Sequence, residues 1–364
     1  MSASVRHNPP WTIALPLVGL AILTLGKLAP ALPGMTLLMA AGLVASVIAA
    51  VHHAEVIAHK VGEPFGTLVL ALSVTVIEVA LIVSMMLAGG EEAASLARDT
   101  VFAAVMIILT GIIGISLLAG GRKHHVQGFR LDGINAALGT LSVIVVFALI
   151  LPNVTTSTSG ADYSPSQLVF IAIATLVLFA SFTFFQTVRH RDYFLPADEE
   201  DEDNPNEHAD PPSARDAWTS LALLLASLVA VVLSAKGISP AIEAMLESAG
   251  APAATLGILI AAIVLLPEGV AAVRAAVNNR LQTSLNLAVG SAIASIGLTV
   301  PVVAAVSLFM GWPLILGLDD KSVLLLLVSL FVASISLRTG RTTALQGMVH
   351  LVLFAAYMFL SFVP

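Results

Sequence analysis

Residues 71–86, ALSVTVIEVALIVSMM, form an apolar run in which Glu78 is the single charged residue. A second apolar run, LIAAIVLLPEGVAAV at residues 259–273, likewise contains one charge, that of Glu268. An ionisable group near the centre of a bilayer is unfavourable by a few kcal/mol, so such a residue usually lines a polar cavity and has a function. The two runs therefore predict two membrane helices, each with one functional carboxylate.

The composition of the whole chain places it in a membrane. Hydrophobic residues make up 58% of the 364 residues and charged residues 11%, whereas a soluble domain carries about 25% charged residues. A helix needs about 20 apolar residues to cross the hydrocarbon. We therefore predict an all-α polytopic membrane protein with eleven membrane helices, at residues 11–30, 35–52, 65–88, 100–120, 132–151, 166–188, 217–235, 253–274, 284–310, 320–337 and 343–362.

The lysines and arginines predict the orientation of these helices. Eleven of the 16 basic residues fall in or beside loops on one side, and five lie on the other. Basic residues accumulate in cytoplasmic loops, so the richer side is predicted to be the cytoplasm. We expect a multi-pass protein of a cell membrane, such as a bacterial inner membrane, with both termini outside.

The connection at residues 189–216 divides the chain and is predicted to be cytoplasmic. Its core at 198–212, DEEDEDNPNEHADPP, is acidic and proline-rich, which favours a solvated linker. A cation-collecting or regulatory segment is the alternative interpretation. Beyond a first helix within residues 1–30, five predicted helices precede this linker (35–188) and five follow it (217–364). An odd number of helices inverts the second set, which predicts two inverted repeats.

The two predicted repeats place their glutamates in equivalent positions, each on the second helix of five. Pro267 lacks a backbone donor, so a kink or break is expected beside Glu268. Freed carbonyls and carboxylates are hard oxygen ligands, suited to Ca²⁺ or Na⁺. Close helix packing is the alternative role for small residues in a membrane. The other residues expected to line a cation cavity are Ser73, Thr75, Gly290, Ser291 and Ser295.

Three segments carry a resemblance to a known family: residues 53–82, residues 265–301, and SLRTGRTTALQGMVHLVLFAAY at residues 336–357. With them, nearly the full chain resembles the calcium/proton antiporters of the cation/calcium exchanger superfamily, including its bacterial calcium, sodium or potassium/proton antiporters. The resemblance implies a fold of one helix plus two five-helix repeats. It also implies that Glu78 and Glu268 bind a cation and exchange it for protons. Gly290 and Ser291 match the Gly-Ser pair of the second repeat.

This sequence departs from the family pattern at several oxygen-bearing positions. Gly-Asn often precedes the glutamate in the family, whereas this chain has Val74-Thr75 in one repeat and Val264-Leu265 in the other. A glutamine often found after the Gly-Ser pair is Ala294 here. The predicted site is thus poor in side-chain oxygens. Ca²⁺ is the first expectation for the transported ion, and Na⁺ or K⁺ remain open.

The expected mechanism is competition, because a cation or protons can neutralise the carboxylates but not both together. A cation channel is the chief alternative, since it would also place acids in a pore. A monovalent cation/proton antiporter without calcium transport is another. An enzyme is not expected, because the chain lacks an HExxH motif and any paired aspartate-rich motif for binding a cation and a phosphate. The sequence also has no P-loop, so it gives no sign of ATP-driven pumping. We predict no cofactor and no nucleic-acid partner, and expect membrane lipid around the protein.

Overall fold

The computed structural model describes residues 8–29, 34–62, 65–158, 160–195, 212–248, 250, 252 and 254–363. Residues 196–211, most of the acidic linker, lie outside this description, so the predicted linker stays a prediction. The described part of the chain forms eleven long helical segments: α1 (Pro10–Leu28), α2 (Met35–Val61), α3 (Phe65–Gly89), α4 (Leu96–His124), α5 (Leu131–Val154), α6 (Pro165–Arg189), α7 (Ala214–Ser248), α8 (Ala254–Val277), α9 (Leu281–Met310), α10 (Asp320–Ser336) and α11 (Ala344–Phe362).

The helices confirm an all-α membrane protein. Within the described residues, eight of them are long and apolar enough to cross a membrane. These are α2, α4, α5, α6, α7, α8, α9 and α11. Two shorter apolar stretches, Pro10–Gly26 and Leu72–Leu87, lie in α1 and α3. The remaining helix, α10, has 17 residues.

Two helices are longer than predicted. The apolar run of α2 was expected to end at residue 52, but the helix continues to Val61 and buries His53, Ala54 and Val56. The Nε2 atom of His53 lies 3.0 Å from the Thr12 carbonyl oxygen, and its Nδ1 atom lies 3.4 Å from Ser220 Oγ. The helix α7 was expected to end at residue 235 and extends to Ser248, burying Ile238.

The predicted break beside Glu268 is absent. The helix α8 runs without interruption from Ala254 to Val277 and has Pro267 inside it. Proline is tolerated within membrane helices where neighbouring groups satisfy the freed backbone.

The helices group into two compact units, one of which comprises Met1–Met85 and Asp198–Met245. It contains α1, α2, the larger part of α3 and nearly all of α7. Small residues allow close packing between α1 and α2, because a Cβ atom on Gly19 would clash with Ser46 Oγ. His53 of α2 contacts both the Thr12 carbonyl of α1 and Ser220 of α7, so hydrogen bonds link three helices of this unit.

The other unit comprises Met86–Ala197 and Leu246–Pro364. Three of its helices contain a π turn: Ile107–Ile112 in α4, Val146–Ile150 in α5 and Phe185–Arg189 in α6. A π turn inserts one extra residue and often marks a functional position. Two short strands, β1 (Val126–Gly128) and β2 (Arg341–Thr343), pair antiparallel and join the loops after α4 and before α11.

Candidate cation-binding site

Glu78 lies on a buried face of α3, where its side chain is 3% exposed. Thr75 precedes it by one turn and is 4% exposed, while Ile82 follows by one turn and is fully buried. The hydroxyl of Ser73 donates a hydrogen bond of 2.8 Å to the Val69 carbonyl oxygen of its own helix. The Ser73 proton is therefore used within α3, and the oxygen keeps its lone pairs for a ligand.

Glu268 lies on α8 and is half-buried. Ser291 Oγ, on the neighbouring helix α9, donates a hydrogen bond of 2.6 Å to Glu268 Oε2. A hydrogen bond from a hydroxyl to a carboxylate is charge-assisted and short. The structure thus brings together two of the residues that the sequence singled out, 23 positions apart in the chain.

The residues on either side of Glu268 shape its surroundings. Pro267 has no N–H, so the carbonyl of the residue four positions earlier loses its helical partner. Gly269 lets α8 approach the π turn of α4, since a Cβ atom there would lie 3.2 Å from Ile112 Cδ1. The backbone beside the carboxylate therefore combines a freed carbonyl with a close neighbouring helix.

Two other cavity candidates on α9 differ in their surroundings. Gly290 is not held by close packing, since a Cβ atom there would meet only Gln186 Nε2, at 4.0 Å. This leaves space beside Ser291, as a cavity-lining role requires. Ser295 is 1% exposed and lies one turn further along α9, on a buried face of that helix.

A dense metal site is absent from the described residues. They contain no group of three or more His, Cys, Asp or Glu side chains that could hold a metal ion. A cation on either glutamate would need hydroxyl and backbone carbonyl oxygens, or water, to complete its coordination.

Two polar side chains of the unit that contains Glu268 were not identified from the sequence. His350 of α11 is fully buried, with Nδ1 2.7 Å from the Leu109 carbonyl oxygen in the π turn of α4 and Nε2 3.2 Å from Ser336 Oγ. Gln186 lies in the π turn of α6, beside Gly290. An isolated polar residue in an apolar run was the available signal for both.

The sequence matches the family model of the sodium/calcium exchanger protein over residues 31–188 and 219–363. It is 47% identical to the Sinorhizobium fredii protein y4hA over 361 residues, covering 98% of this chain and 97% of that protein. It is also 36% identical to the sodium-potassium/proton antiporter ChaA of Escherichia coli K12 over 364 residues, covering 99% of this chain and 98% of that protein.

The fold is similar to the solved structure of native YfkE, with a TM-score of 0.74 and 17% sequence identity. That superposition covers 97% of this chain and the whole of the other. At this identity the likeness concerns the fold, which is the predicted one.

Proposed function

The chain belongs to the sodium/calcium exchanger protein family, and from that premise we propose that it exchanges a metal cation for protons through Glu78 and Glu268. It is a secondary transporter and not an enzyme. The observation that carries the assignment of these residues is the 2.6 Å hydrogen bond between Ser291 and Glu268. It joins the predicted carboxylate to the predicted Gly-Ser motif across two membrane helices.

The chemistry of this pair suits alternate binding of a cation and a proton. With Glu268 ionised and no cation bound, the Ser291 hydroxyl donates to the carboxylate. When a cation binds, the hydroxyl can rotate and offer a lone pair to the metal, because a serine both donates and accepts. A protonated Glu268 donates its own proton and no longer attracts a cation. The two ligands therefore exclude each other at this carboxylate.

Glu78 is proposed to take part in the same exchange from its buried position. Burial disfavours the ionised form of a carboxylate that is only 3% exposed. Either a cation or a proton removes that penalty, and the loss of one must accompany the arrival of the other. Ser73, Thr75, Pro267, Gly290 and Ser295 are proposed as lesser contributors to the surroundings of the two carboxylates.

Ca²⁺, Na⁺ and K⁺ are the proposed cargo ions. The relative at 36% identity carries sodium and potassium in its name, and the oxygen-poor motifs at Val74-Thr75 and Val264-Leu265 also suit a monovalent ion. Ca²⁺ prefers six to eight oxygen ligands, which these two motifs do not provide by side chains alone. The transported ion therefore has to be identified by measuring the flux of each cation, since the motifs do not select one.

The test uses purified protein in liposomes with an internal acid load and a proton-sensitive dye. Addition of Ca²⁺, Na⁺ or K⁺ outside should raise the internal pH in a saturable way, and external acid should weaken the response. Protons compete for the same carboxylates, which sets that sign. Cation flux without proton movement would contradict the proposal and indicate a channel.

The orientation is proposed from the basic loops, with both termini outside and the acidic linker in the cytoplasm. Since the chain has no cysteine, single cysteines at residues 205 and 98 can be labelled in intact cells. We expect labelling at residue 98 and protection at residue 205. The reverse pattern would show that the protein has the opposite orientation.

A further inference from the structure

An apolar groove of about 420 Å³ lies within the unit that contains Glu268. Helices α4, α8 and α11 supply its walls, and twelve of the thirteen residues that line it are apolar. Its volume falls within the roughly 300–1,000 Å³ of small-molecule sites. Ile115, Leu266 and Val270 are lining residues that are 45%, 52% and 42% exposed. The groove therefore opens to the outside of the protein, where the membrane lies.

The one charged lining residue is Arg274, in the last turn of α8. The lining residues of α8 extend from Ile258 to Arg274, a rise of about 24 Å at about 1.5 Å per residue. The stripe includes Leu265, Leu266 and Gly269, which flank Pro267 and Glu268. The groove thus follows the outer side of the helix that carries the carboxylate, with a cation at one end.

Other cations lie at the same end. His124 Nε2 is 2.8 Å from the Val277 carbonyl oxygen, so the end of α4 meets the end of α8. Arg122 and Lys123 precede His124 and are exposed. Within the described part of the chain, the salt bridge between Arg98 and Asp99 does not involve Arg122, Lys123 or Arg274. Arg274, Arg122 and Lys123 are therefore available to an external anion.

We propose that the groove is a binding site for one acyl chain of an anionic phospholipid, whose phosphate is bound by Arg274. Lipid tails are as apolar as leucine, so the groove alone gives no preference among lipids. The preference comes from the cations, because basic pockets between membrane helices bind anionic head groups. The lipid belongs to the leaflet that contains the C-terminal end of α8.

The dimensions agree with a single acyl chain. One leaflet is half of the roughly 30 Å hydrocarbon core, or about 15 Å, which corresponds to about ten residues of helix at about 1.5 Å each. A chain that starts at Arg274 therefore reaches the level of Leu265. It lies against the turn that contains Pro267 and Glu268, on the outer side of α8. This site is independent of the exchange proposed above and does not require it.

The test is native mass spectrometry of the full chain, extracted from bilayers of equal phosphatidylglycerol and phosphatidylcholine. The wild type should retain phosphatidylglycerol preferentially. Arg274→Gln should lower that retention about five-fold, which corresponds to about 1 kcal/mol for one cation near an anionic head group. Arg280→Gln is the matched control, because it removes an exposed arginine from the start of α9, which does not line the groove.

A second variant tests the acyl chain separately from the phosphate. Ile115→Trp places a large side chain in the groove and should also lower phosphatidylglycerol retention, whereas Val143→Trp, at an exposed position of α5 outside the groove, should not. Equal retention of both lipids by the wild type would overturn the site. So would loss of retention in Arg274→Gln without loss in Ile115→Trp, since the phosphate would then bind without the groove.

Discussion

The two glutamates that the sequence treats as equivalent occupy different surroundings. Glu78 is 3% exposed on an α3 segment that has neither proline nor glycine beside it. Glu268 is half-buried, lies between Pro267 and Gly269, and accepts a hydrogen bond from Ser291. The same residue type is thus enclosed at one position and partly open at the other.

This difference separates two tasks of an exchanger. Burial disfavours the ionised form of a carboxylate, so the more enclosed Glu78 favours neutralisation by a cation or a proton. A half-buried carboxylate tolerates the ionised form between one ligand and the next more readily, because it stays partly solvated. We therefore expect Glu78 to enforce the exchange of one ligand for another and Glu268 to receive the incoming ion.

The largest effect should come from Glu78→Gln and Glu268→Gln. Glutamine keeps the size and hydrogen-bonding capacity of glutamate but cannot alternate between acid and carboxylate. Each variant should lower exchange in liposomes to the level of empty vesicles, while thermal stability in detergent is kept. Asp132→Asn, which changes an exposed carboxylate at the start of α5, should exchange normally. Normal exchange by either Gln variant would remove that glutamate from the mechanism.

The aspartate replacements should show the asymmetry between the two positions. Glu78→Asp removes one methylene from an enclosed side chain and leaves a void, at about 1 kcal/mol of stability. Glu268→Asp shortens a side chain that borders open space, where water can fill the gap. We expect exchange by Glu268→Asp to exceed exchange by Glu78→Asp, with a lower melting temperature for the latter. The opposite order would show that burial does not distinguish the two carboxylates.

A smaller effect should follow from Ser291→Ala. In the proposed mechanism the Ser291 hydroxyl offers a lone pair to the bound cation, and alanine removes that ligand. The apparent cation affinity should therefore fall about ten-fold, which corresponds to about 1.4 kcal/mol. Ser73→Ala is the matched change beside Glu78, and Ser73 donates to its own helix. It should change the affinity by less than Ser291→Ala, and equal effects would argue against the special role of the Ser291 contact.

The smallest effects on exchange are expected from alanine replacements of the two glycines of α9, Gly290 and Gly297, which should differ in their effect on stability. A Cβ atom on Gly297 would lie 2.6 Å from Phe179 Cβ, so Gly297→Ala should lower the free energy of unfolding by about 1–3 kcal/mol. Gly290→Ala meets only Gln186 and should be neutral for stability. Denaturation in detergent measures both. Equal destabilisation by both variants would show that Gly290 is a packing residue and does not line the cavity.

Much of the fold was predictable from the sequence, because hydrophobic runs report membrane helices directly. Nine of the eleven helical segments begin and end within about four residues of the predicted bounds, which is the ordinary precision of such boundaries. The exceptions, α2 and α7, continue past polar residues. His53 illustrates the reason, since its partners Thr12 and Ser220 come from distant parts of the chain.

The details of the site were less predictable, since they depend on contacts between helices. Glu268 and Ser291 were both identified, but their direct hydrogen bond was not. The three π turns were not predicted, because an inserted residue leaves the apolar pattern unchanged. The strands β1 and β2 have three residues each and are too short to show an alternating pattern in the sequence. His350 was missed, although it is a lone polar residue in an apolar helix.

The most direct test of the two-glutamate mechanism is infrared difference spectroscopy of the purified protein. A cation added at a pH where the sites hold protons should remove the carbonyl band of protonated carboxylic acids and produce a carboxylate band. The wild type and Asp132→Asn should give the full signal, and Glu78→Gln and Glu268→Gln should each lose part of it. A signal of full size in both Gln variants would show that cation and proton do not compete at these two carboxylates.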